Sequence, residues 1–488
     1  MQIPLLSTIA KNKISWLIFV ILTGLACGII IILFFSRLPA TYATFCLVAI
    51  ISPFIAIMYG DSKRLLLLAL MICLPITVDI TINHTGHKSG AAGYVISIYD
   101  IVLAFLYLLW FTELISKKLK NIKFYPEFSL PAISLIGFAC LSMIHAKNPS
   151  LSVYEVIEVT KMYLTFFYLA NNIKTKKDVN FIITIFIACL LFEGMLGWAQ
   201  HRYDRPFFPT ALGGPQWIDS RVSGTWASYN DFGWYLTFFL PLGMSMTFSE
   251  IKPIYKLICF IAVAAGSGAL MWTNSRASWI SFGIAIIFVG LTVFKKIKDK
   301  RSLMNTILAI MFIVIIIFPL YPRLFNKMYG RFAGSDGGSA DSRMPQFEMA
   351  ADIIQDHPIL GVGINNYTLV MWDYDKTEEG LGALTHHQVH NIFLQIAAEM
   401  GIPGLAIFLW LVASILFAGL RYVILNENII VFAVIGLLGG LLAFLVHGLY
   451  DAESIGGKLF LFIWVFAAII FAIRKIDQEE KARFHQYQ

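Results

Sequence analysis

The stretch "NIIVFAVIGLLGGLLAFLVH", residues 428–447, contains no Asp, Glu, Lys or Arg, and its most polar side chains lie at its two ends. An apolar run of about 20 residues has the length that an α-helix needs to cross the hydrocarbon core of a bilayer. The run is continuous rather than alternating, which favours a helix over a strand of a membrane barrel. We therefore predict a membrane-spanning helix at 428–447.

The rest of the chain has the same apolar character. Its 488 residues are 58% hydrophobic and 14% charged, and the mean hydropathy is +0.73. Because a soluble domain carries about 25% charged residues, this composition excludes a water-soluble globular protein. The first apolar run, 14–34, is too long for the core of a signal peptide and lacks a cleavage site of small residues, so we expect it to remain as a helix. We predict an all-α, polytopic membrane protein with about 12–14 transmembrane helices and one long outer loop that carries short helices.

The apolar runs place the individual spans and the connections set their direction. We expect the spans at 14–34, 41–59, 64–81, 95–116, 129–145, 151–172, 178–199, 229–248, 254–272, 277–294, 303–322, 398–420, 428–447 and 457–473. Alternate connections hold most of the 37 lysines and arginines, including "KKLKNIK" at 117–123 and "KKIKDKR" at 295–301. The positive-inside rule makes that side cytoplasmic and puts both termini there. The positive charge therefore serves topology and anionic headgroups rather than nucleic acid.

This layout divides the chain into four segments. We expect N-terminal transmembrane helices at 1–200, central transmembrane helices with arginine-bearing outer loops at 201–322, the long outer loop at 323–390, and C-terminal transmembrane helices with a basic cytoplasmic tail at 391–488. No internal repeat is evident in the sequence, which weakens an inverted-repeat transporter as an interpretation.

The long outer loop begins at about residue 323. A turn rich in Gly, Ser and Asp, "GSDGGSADS" at 334–342, precedes the segment "RMPQFEMAADIIQ". That segment predicts a short helix, because helical spacing puts one apolar face at Met344, Phe347, Ala351 and Ile354. The following "HPILGVGINNY" should end the helix at its proline and glycines. A loop of this length in a compact protein is usually a lid or a binding element.

Three arginines fall at the outer ends of predicted helices. Arg221 precedes the eighth span, Arg276 lies in the short "TNSR" turn between the ninth and tenth, and Arg343 opens the loop helix. An arginine near the interface can simply extend to the headgroups. The "TNSR" turn is short, however, so the side chain of Arg276 cannot easily reach water along a loop. Because a guanidinium is planar, permanently charged and able to form two parallel hydrogen bonds, two such arginines facing one cavity predict a site for a diphosphate.

Histidines crowd the end of the long loop, in "THHQVHNIFLQIAAEMGIPG" at 385–404. His390 closes the loop, and imidazole can take a proton from an attacking hydroxyl near neutral pH. A lone histidine before a helix is also a common cap, so the local pattern leaves both interpretations open. The candidate supporting residues at the same level are His386, His387, His447 and Asp451.

A metal site is not favoured by the sequence. His386 and His390 are four residues apart, as in the HExxH motif, but position 387 is His and position 388 is Gln, so the glutamate of that motif is missing. All six cysteines lie within apolar runs, which favours small buried side chains over disulfides or metal ligands. We expect neither a metal nor another cofactor.

Ionisable side chains also lie within or beside the predicted spans. Asp79 and Asp100 fall in or near the third and fourth spans, and the sixth span holds Glu155, Glu158 and Lys161. Glu158 and Lys161 are spaced to meet on one helix face, which favours a structural ion pair over a proton path.

Four motifs follow one another along the chain: "RVSGTWASYNDFGWYL", "TNSRASWISF", "HPILGVGINNY" and "HNIFLQIAAEMGIPGL". In this order they resemble the O-antigen ligase and O-antigen polymerase family of bacterial surface-polysaccharide assembly. The likeness covers about residues 215–450, and the N-terminal third matches only as an array of hydrophobic helices. The order of the motifs, the span pattern and the long outer loop together make the resemblance specific.

The resemblance implies an inverting, metal-independent glycosyltransferase of the GT-C type in the bacterial inner membrane. Such an enzyme takes a glycan from undecaprenyl diphosphate at the periplasmic face and passes it to an acceptor hydroxyl. Carried over by motif, His390 is the base, Arg221 and Arg276 bind the diphosphate, and Arg343 matches a commonly basic position. The implied partners are the lipid-linked glycan donor, lipid A-core or a lipid-linked glycan as acceptor, and membrane lipids.

Several functions stay open at this point. A ligase and a polymerase differ only in the acceptor, lipid A-core or a second lipid-linked repeat, and a further branch of the family glycosylates proteins. The alternative from another class is a transporter or flippase of an anionic lipid. That alternative predicts ionisable residues along a midplane path, whereas the charged positions here collect at one face, which favours the enzyme.

Overall fold

The computed structural model describes residues 62–75, 79–87, 90–116, 122–207, 221–297, 343–377 and 388–486. These residues form helices and one short hairpin, so the predicted all-α class is confirmed. The helices are α1 (Ser62–Cys73), α2 (Ile98–Ile115), α3 (Pro126–Ser142), α4 (Pro149–Asn172), α5 (Lys176–Tyr203), α6 (Tyr229–Thr247), α7 (Pro253–Trp272), α8 (Arg276–Lys296), α9 (Arg343–Asp356), α10 (Tyr367–Val370), α11 (Ile392–Leu425), α12 (Ile430–His447) and α13 (Lys458–Gln486). The 3-10 turns Met143–His145 and Met371–Tyr374 follow α3 and α10, and the strands are β1 (Asp79–Ile82) and β2 (Tyr94–Ser97).

Eight helices of the described part are long and apolar enough to cross a membrane: α2, α3 with its 3-10 turn, α5, α7, α8, α11, α12 and α13. This confirms a polytopic membrane protein. Helices α4 and α6 lie where spans were predicted but are not among the eight, although α4 has 24 residues and α6 has 19. The predicted spans 14–34, 41–59 and 303–322 lie outside the described residues.

The apolar stretch 428–447 contains α12, which is one of two largely buried helices in the described part of the chain. In α12 and α13, 83% and 94% of the residues in the most apolar window are buried. A Cβ added at Gly436 would collide with the backbone of Leu242, and one at Gly440 would collide with the carbonyl of Phe238. Small residues at such positions let two membrane helices approach closely. The glycines of "IGLLGGLL" therefore bring α12 against α6.

The predicted span at 64–81 is wrong. Helix α1 ends at Cys73, and Pro75 follows, which disfavours helix in the residue before it. The chain then enters β1, which pairs antiparallel with β2, so that Asp79 lies opposite Ser97 and Ile82 lies opposite Tyr94. The β-branched sequence "DITI" suits a strand. This outer hairpin was not predicted from the apolar pattern.

The predicted loop helix is confirmed as α9, but its buried face is wrong by one position. Met344, expected to be buried, is 58% exposed. The residues that α9 buries are Gln346, Met349, Ala350 and Ile353. They pack in a small cluster with side chains of α10, α11 and the loop between α9 and α10. Which face of α9 is buried depends on where those partners lie. The spacing of apolar residues within the helix carries no information about them.

Helix α11 begins at Ile392, six residues before the predicted start of its span, and it is broken at Gly401. Gly401 has φ +68° and ψ 179°, and a Cβ there would collide with the carbonyl of Ile359. The backbone N–H of Ile402 donates to the carbonyl of Pro358 at 2.9 Å, and that of Val362 donates to the Ala398 carbonyl at 3.0 Å. The outer loop is therefore bonded to the break in α11.

Candidate active site

The outer ends of α11 and α12 meet beside His390. Asn391 caps α11, since its side-chain oxygen accepts a hydrogen bond from the backbone N–H of Phe393 at 2.9 Å. The backbone N–H of Ile392 donates to the carbonyl of Gly448 at 2.8 Å. These bonds hold His390 directly against the turn that follows α12.

Asp451 lies in that turn and contacts His390. The Nδ1 of His390 is 2.9 Å from Oδ1 of Asp451. The side chain of His390 is 28% exposed and that of Asp451 is 11% exposed. When Nδ1–H donates to a carboxylate, the lone pair lies on Nε2, which is the tautomer that a general base requires. The pair has the geometry of a base with an orienting carboxylate.

His447 approaches the same carboxylate from inside the bundle. Its Nε2 is 3.8 Å from Oδ2 of Asp451, and its buried ring stacks on the indole of Trp234, with centroids 4.3 Å apart and planes 3° apart. Burial alone would raise the pKa of Asp451, but the interactions with His390 and His447 hold that pKa well below its usual range. The carboxylate is therefore charged at neutral pH.

Arg221 ties the segment before α6 to the turn between α7 and α8. Its Nε donates to the carbonyl of Thr273 at 2.7 Å, and its guanidinium carbon lies 3.2 Å from the ring centroid of Tyr229. The backbone N–H of Val222 donates to the carbonyl of Trp272 at 3.3 Å. These contacts fix Arg221 at the outer end of α6 and α8.

Arg276 is the first residue of α8, three positions beyond the carbonyl that Arg221 binds. Ser275 caps this helix, and Asn274 before it has φ +54°, which a tight reversal of the chain requires. Both arginines are half-buried. The structure thus places Arg221 and Arg276 at one turn.

The first turns of α6 connect the arginines to the histidines. Tyr229 lies against Arg221, and Trp234 lies against His447. At a rise of 1.5 Å per residue these two aromatic residues are about 7.5 Å apart along the helix axis. Arg343, at the start of α9, is within electrostatic reach of His447. The predicted arginines and the His390–Asp451 pair therefore lie at the same end of the bundle.

Helices α6, α8 and α11 are among the described helices that begin at this end of the bundle. Ser228, Ser275 and Asn391 are the N-caps of α6, α8 and α11. A Cβ on Gly233 would collide with the side chain of Ser278, so the first turns of α6 and α8 are in direct contact. Helix N-termini carry partial positive charge and favour anions. Their direction here adds to the charge of the arginines.

A cavity of about 350 Å³ opens on another side of His390. It lies between the β1–β2 hairpin, α4 and the segment 452–458. Its ionisable lining side chains, all from described residues, are Asp79, Tyr99, Glu158, His390, Glu453 and Lys458. Neither arginine of the predicted diphosphate site lines it. His390 therefore lies in the wall of a cavity that is separate from the two arginines.

The predicted ion pair lies beside this cavity. The Nζ of Lys161 is 2.8 Å from Glu158, as expected, and it is also 2.9 Å from Asp100 at the start of α2. The three side chains are largely buried. This network joins α2 and α4 and confirms a structural pair.

Comparison with known proteins shows what the chain resembles. Residues 261–409 match the O-antigen ligase family. The matched segment covers less than half of the chain. A candidate polysaccharide ligase of Rickettsia typhi is 29% identical over 349 residues, which covers 65% of this chain and 79% of that protein. Another, from Rickettsia prowazekii, is 26% identical over 318 residues, which covers 60% of this chain and 71% of that protein.

The O-antigen ligase segment holds part of the site. Arg276, Arg343 and His390 lie within residues 261–409, whereas Arg221 and Asp451 lie outside them. The helices that complete the site, α6 and α12, therefore flank the matched segment on both sides.

Two residues that sequence reasoning missed hold the Arg221 segment in place. The Oε1 of Gln200 accepts the backbone N–H groups of Ser223 and Gly224 at 3.1 and 2.9 Å. Glu193 lies on α5 seven residues before Gln200, and its carboxylate accepts a hydrogen bond from the backbone N–H of Thr225 at 3.1 Å. The sequence held one sign of this contact, because two polar residues seven positions apart, Glu193 and Gln200, interrupt a mostly apolar segment. Through these bonds, Gln200 and Glu193 position the backbone that follows Arg221.

Other predicted features of the O-antigen ligase site are outside what the structure describes. His386 and His387 fall in residues 378–387, which are not described, so their supporting role stays a prediction. Among the described residues, no group of three or more His, Cys, Asp and Glu side chains is arranged to hold a metal ion. The expectation of a site without metal also stays a prediction.

Proposed function

We propose that this chain is a membrane glycosyltransferase of the O-antigen ligase type. It would move a glycan from undecaprenyl diphosphate to an acceptor hydroxyl at the periplasmic face of the bacterial inner membrane. The His390–Asp451 pair carries this proposal, because it supplies an oriented base at the same end of the bundle as two arginines. The family match and the two rickettsial relatives support the ligase class.

Arg221 and Arg276 bind the diphosphate of the donor in this proposal. Negative charge grows on the diphosphate as it leaves the sugar, and preorganised guanidinium groups stabilise that charge in the transition state. The N-termini of α6 and α8 reinforce them. Arg343 adds positive charge near His447 and is a third candidate contact. The arginines take the role that a metal ion has in other transferases.

His390 is the base that activates the acceptor. The acceptor oxygen attacks the anomeric carbon, a new C–O bond forms, and the bond from that carbon to the diphosphate oxygen breaks with its electron pair on the diphosphate. The proton of the acceptor hydroxyl goes to Nε2 of His390, and Asp451 stabilises the resulting imidazolium. Attack from the face opposite the leaving group inverts the anomeric centre. A base in the wall of a cavity that neither arginine lines supports that direction of attack, because the acceptor can then bind apart from the diphosphate.

The acceptor and the topology complete the proposal. The ligase reaction, with lipid A-core as acceptor, is the principal assignment, and a polymerase would extend a second lipid-linked glycan with the same groups. The excess of basic residues in alternate connections supports a multi-pass inner-membrane protein with both termini in the cytoplasm. The site would then face the periplasm, where the donor is available within the membrane.

Reconstitution tests this function. The purified chain in liposomes, given an undecaprenyl-diphosphate-linked glycan, should glycosylate lipid A-core, and His390→Ala should lower the rate about 10²–10⁴-fold. His357→Ala is the matched control, since His357 is another half-buried outer histidine, in ring contact with His145. A longer lipid-linked chain would identify a polymerase instead. Movement of the lipid across the bilayer with no glycan transferred to either acceptor would contradict the enzyme and support a transporter.

A further inference from the structure

The cavity beside His390 is lined by acidic side chains and by no arginine of the described residues. Three carboxylates line it, from Asp79 on the hairpin, Glu158 on α4 and Glu453 in the segment before α13. The lysine of the described lining, Lys458, lies 2.9 Å from both carboxylate oxygens of Asp79. The positive charge of that lysine is therefore already balanced within the cavity wall.

Glu453 is the lining group that is most available to a ligand. Its carboxylate makes no hydrogen bond or ion pair with any residue in the described ranges, and it lies against Gly457, where a Cβ would collide with it. Burial and the nearby carboxylates of Asp231 and Asp451 raise the pKa of Glu453 well above its usual range. A carboxyl group in either protonation state can hydrogen-bond to the hydroxyl of a bound molecule.

The rest of the lining suits a sugar. It combines the ring of Tyr99, the hydroxyl of Ser454 and the amide of Gln388 with the apolar side chains of Met162 and Leu461. A few polar groups among apolar and aromatic ones are typical of small-molecule sites, and about 350 Å³ is within their usual range. His390 is in the same wall, so a hydroxyl bound here lies beside the base.

We propose that this cavity binds the acceptor sugar and that it selects a sugar unit without phosphate. This inference rests on the proposed transferase function and deepens it, since it assigns a chemical class to the acceptor. A phosphate in the cavity would meet carboxyl groups, and Lys458 is already held by Asp79, so no lysine or arginine of the described lining is left to balance its charge. A buried charge without a partner is unfavourable and rejects such a ligand. The same lack of a cation favours binding of the donor's diphosphate on the arginine side.

One substitution changes the balance of charge in a defined way. Asp79→Asn removes the carboxylate that neutralises Lys458, while the asparagine can still accept the hydrogen bond that Ser97 donates to this side chain at 2.6 Å. The assay uses reconstituted protein and two glycolipid acceptors that differ only in a phosphate monoester on the terminal sugar. The wild-type protein should prefer the acceptor without phosphate. Asp79→Asn should shift the ratio of kcat/KM values about tenfold toward the phosphorylated acceptor and leave the KM of the donor unchanged.

Two controls separate this effect from general damage. The double variant Asp79→Asn/Lys458→Met should return the ratio to its wild-type value, because it removes the unbalanced lysine. Asp352→Asn is the matched control, since Asp352 is another outer-face aspartate, 2.7 Å from Lys376 and away from the cavity. An equal use of both acceptors by the wild-type protein, or a ratio that Asp79→Asn leaves unchanged, would overturn the inference.

A binding measurement distinguishes failure of this inference from failure of the transferase function. An unphosphorylated acceptor glycolipid that carries a diazirine on its terminal sugar should label the segments 388–390 and 452–458 on irradiation. Labelling there without any transfer would retain the cavity as a sugar site and would remove the proposed reaction. Labelling confined to residues 221–234 would place the sugar on the arginine side and overturn the inference.

Discussion

Two regions at the same end of the molecule differ in their ionisable side chains, and His390 lies in the wall of one of them. The starts of α6 and α8 present Arg221, Arg276 and two helix N-termini. The hairpin, α4 and the segment 452–458 present carboxylates and a lysine that is already paired. The difference indicates how one site could distinguish two glycolipids, because the donor carries a diphosphate and the acceptor offers a hydroxyl. Charge, rather than shape alone, would assign each substrate to its side of the base.

The largest effect on the rate is expected from a change in the His390–Asp451 pair. Asp451→Asn should lower kcat about 10²–10⁴-fold, because an amide can donate to Nδ1 of His390 and so favour the wrong tautomer. The pKa of Asp451 is lowered in the folded protein. Its carboxylate therefore stays charged above about 3.9, the pKa of an unfolded aspartate, and is protonated only at lower pH. The defect should therefore be equally large from about pH 5 to about pH 9. Recovery of wild-type kcat anywhere in that range would remove Asp451 from the mechanism.

The next effect tests the arginine side alone. Arg276→Ala and Arg276→Lys should each lower the rate of transfer about 10²–10³-fold, since a point charge does not replace the planar fork of a guanidinium. Arg202→Lys, at an exposed arginine near the outer end of α5, is the matched control. The rates are measured with both acceptors in liposomes, after the variant is shown to insert normally. Wild-type activity in Arg276→Lys would argue against a bidentate contact with the diphosphate.

A smaller effect is expected from the residues that position Arg221. Gln200→Ala leaves two backbone N–H groups of the Arg221 segment without their acceptor, which costs about 1–3 kcal/mol locally. The KM of the donor should rise about tenfold and the KM of the acceptor should stay constant. Asn172→Ala is the matched control, because Asn172 is a buried amide at the other end of the bundle. An equal change in both KM values would assign Gln200 to the fold in general rather than to Arg221.

The spans and their common outer end could be predicted from the sequence for a simple physical reason. A membrane helix must be apolar along its whole length, so each span is visible locally, as at 428–447. The excess of basic residues in alternate connections predicts that Arg221, Arg276 and His390 share the opposite side of the membrane, without any contact being known. The structure adds that Arg221 binds the turn of Arg276 and that Asp451 binds His390.

The acidic region could not be predicted, because it depends on contacts between distant parts of the chain. Asp79 was placed in a span at 64–81, whereas it lies in β1 and reaches Lys458, 379 positions away. The buried face of α9 was also missed, because its partners in α11 and the adjoining loop decide which residues turn inward. Gln200 shows the same limit, since a polar residue in an apolar helix indicates a contact but does not name it.

The division of the site by charge is tested most directly by the structure of the protein with a bound donor. A nonhydrolysable phosphonate analogue of the undecaprenyl-diphosphate-linked glycan, in lipid nanodiscs, would be located by electron cryomicroscopy. We expect the diphosphate within hydrogen-bonding distance of Arg221 and Arg276, with the first sugar between it and His390. A diphosphate bound in the cavity beside Lys458, with both guanidinium groups out of contact, would contradict the account.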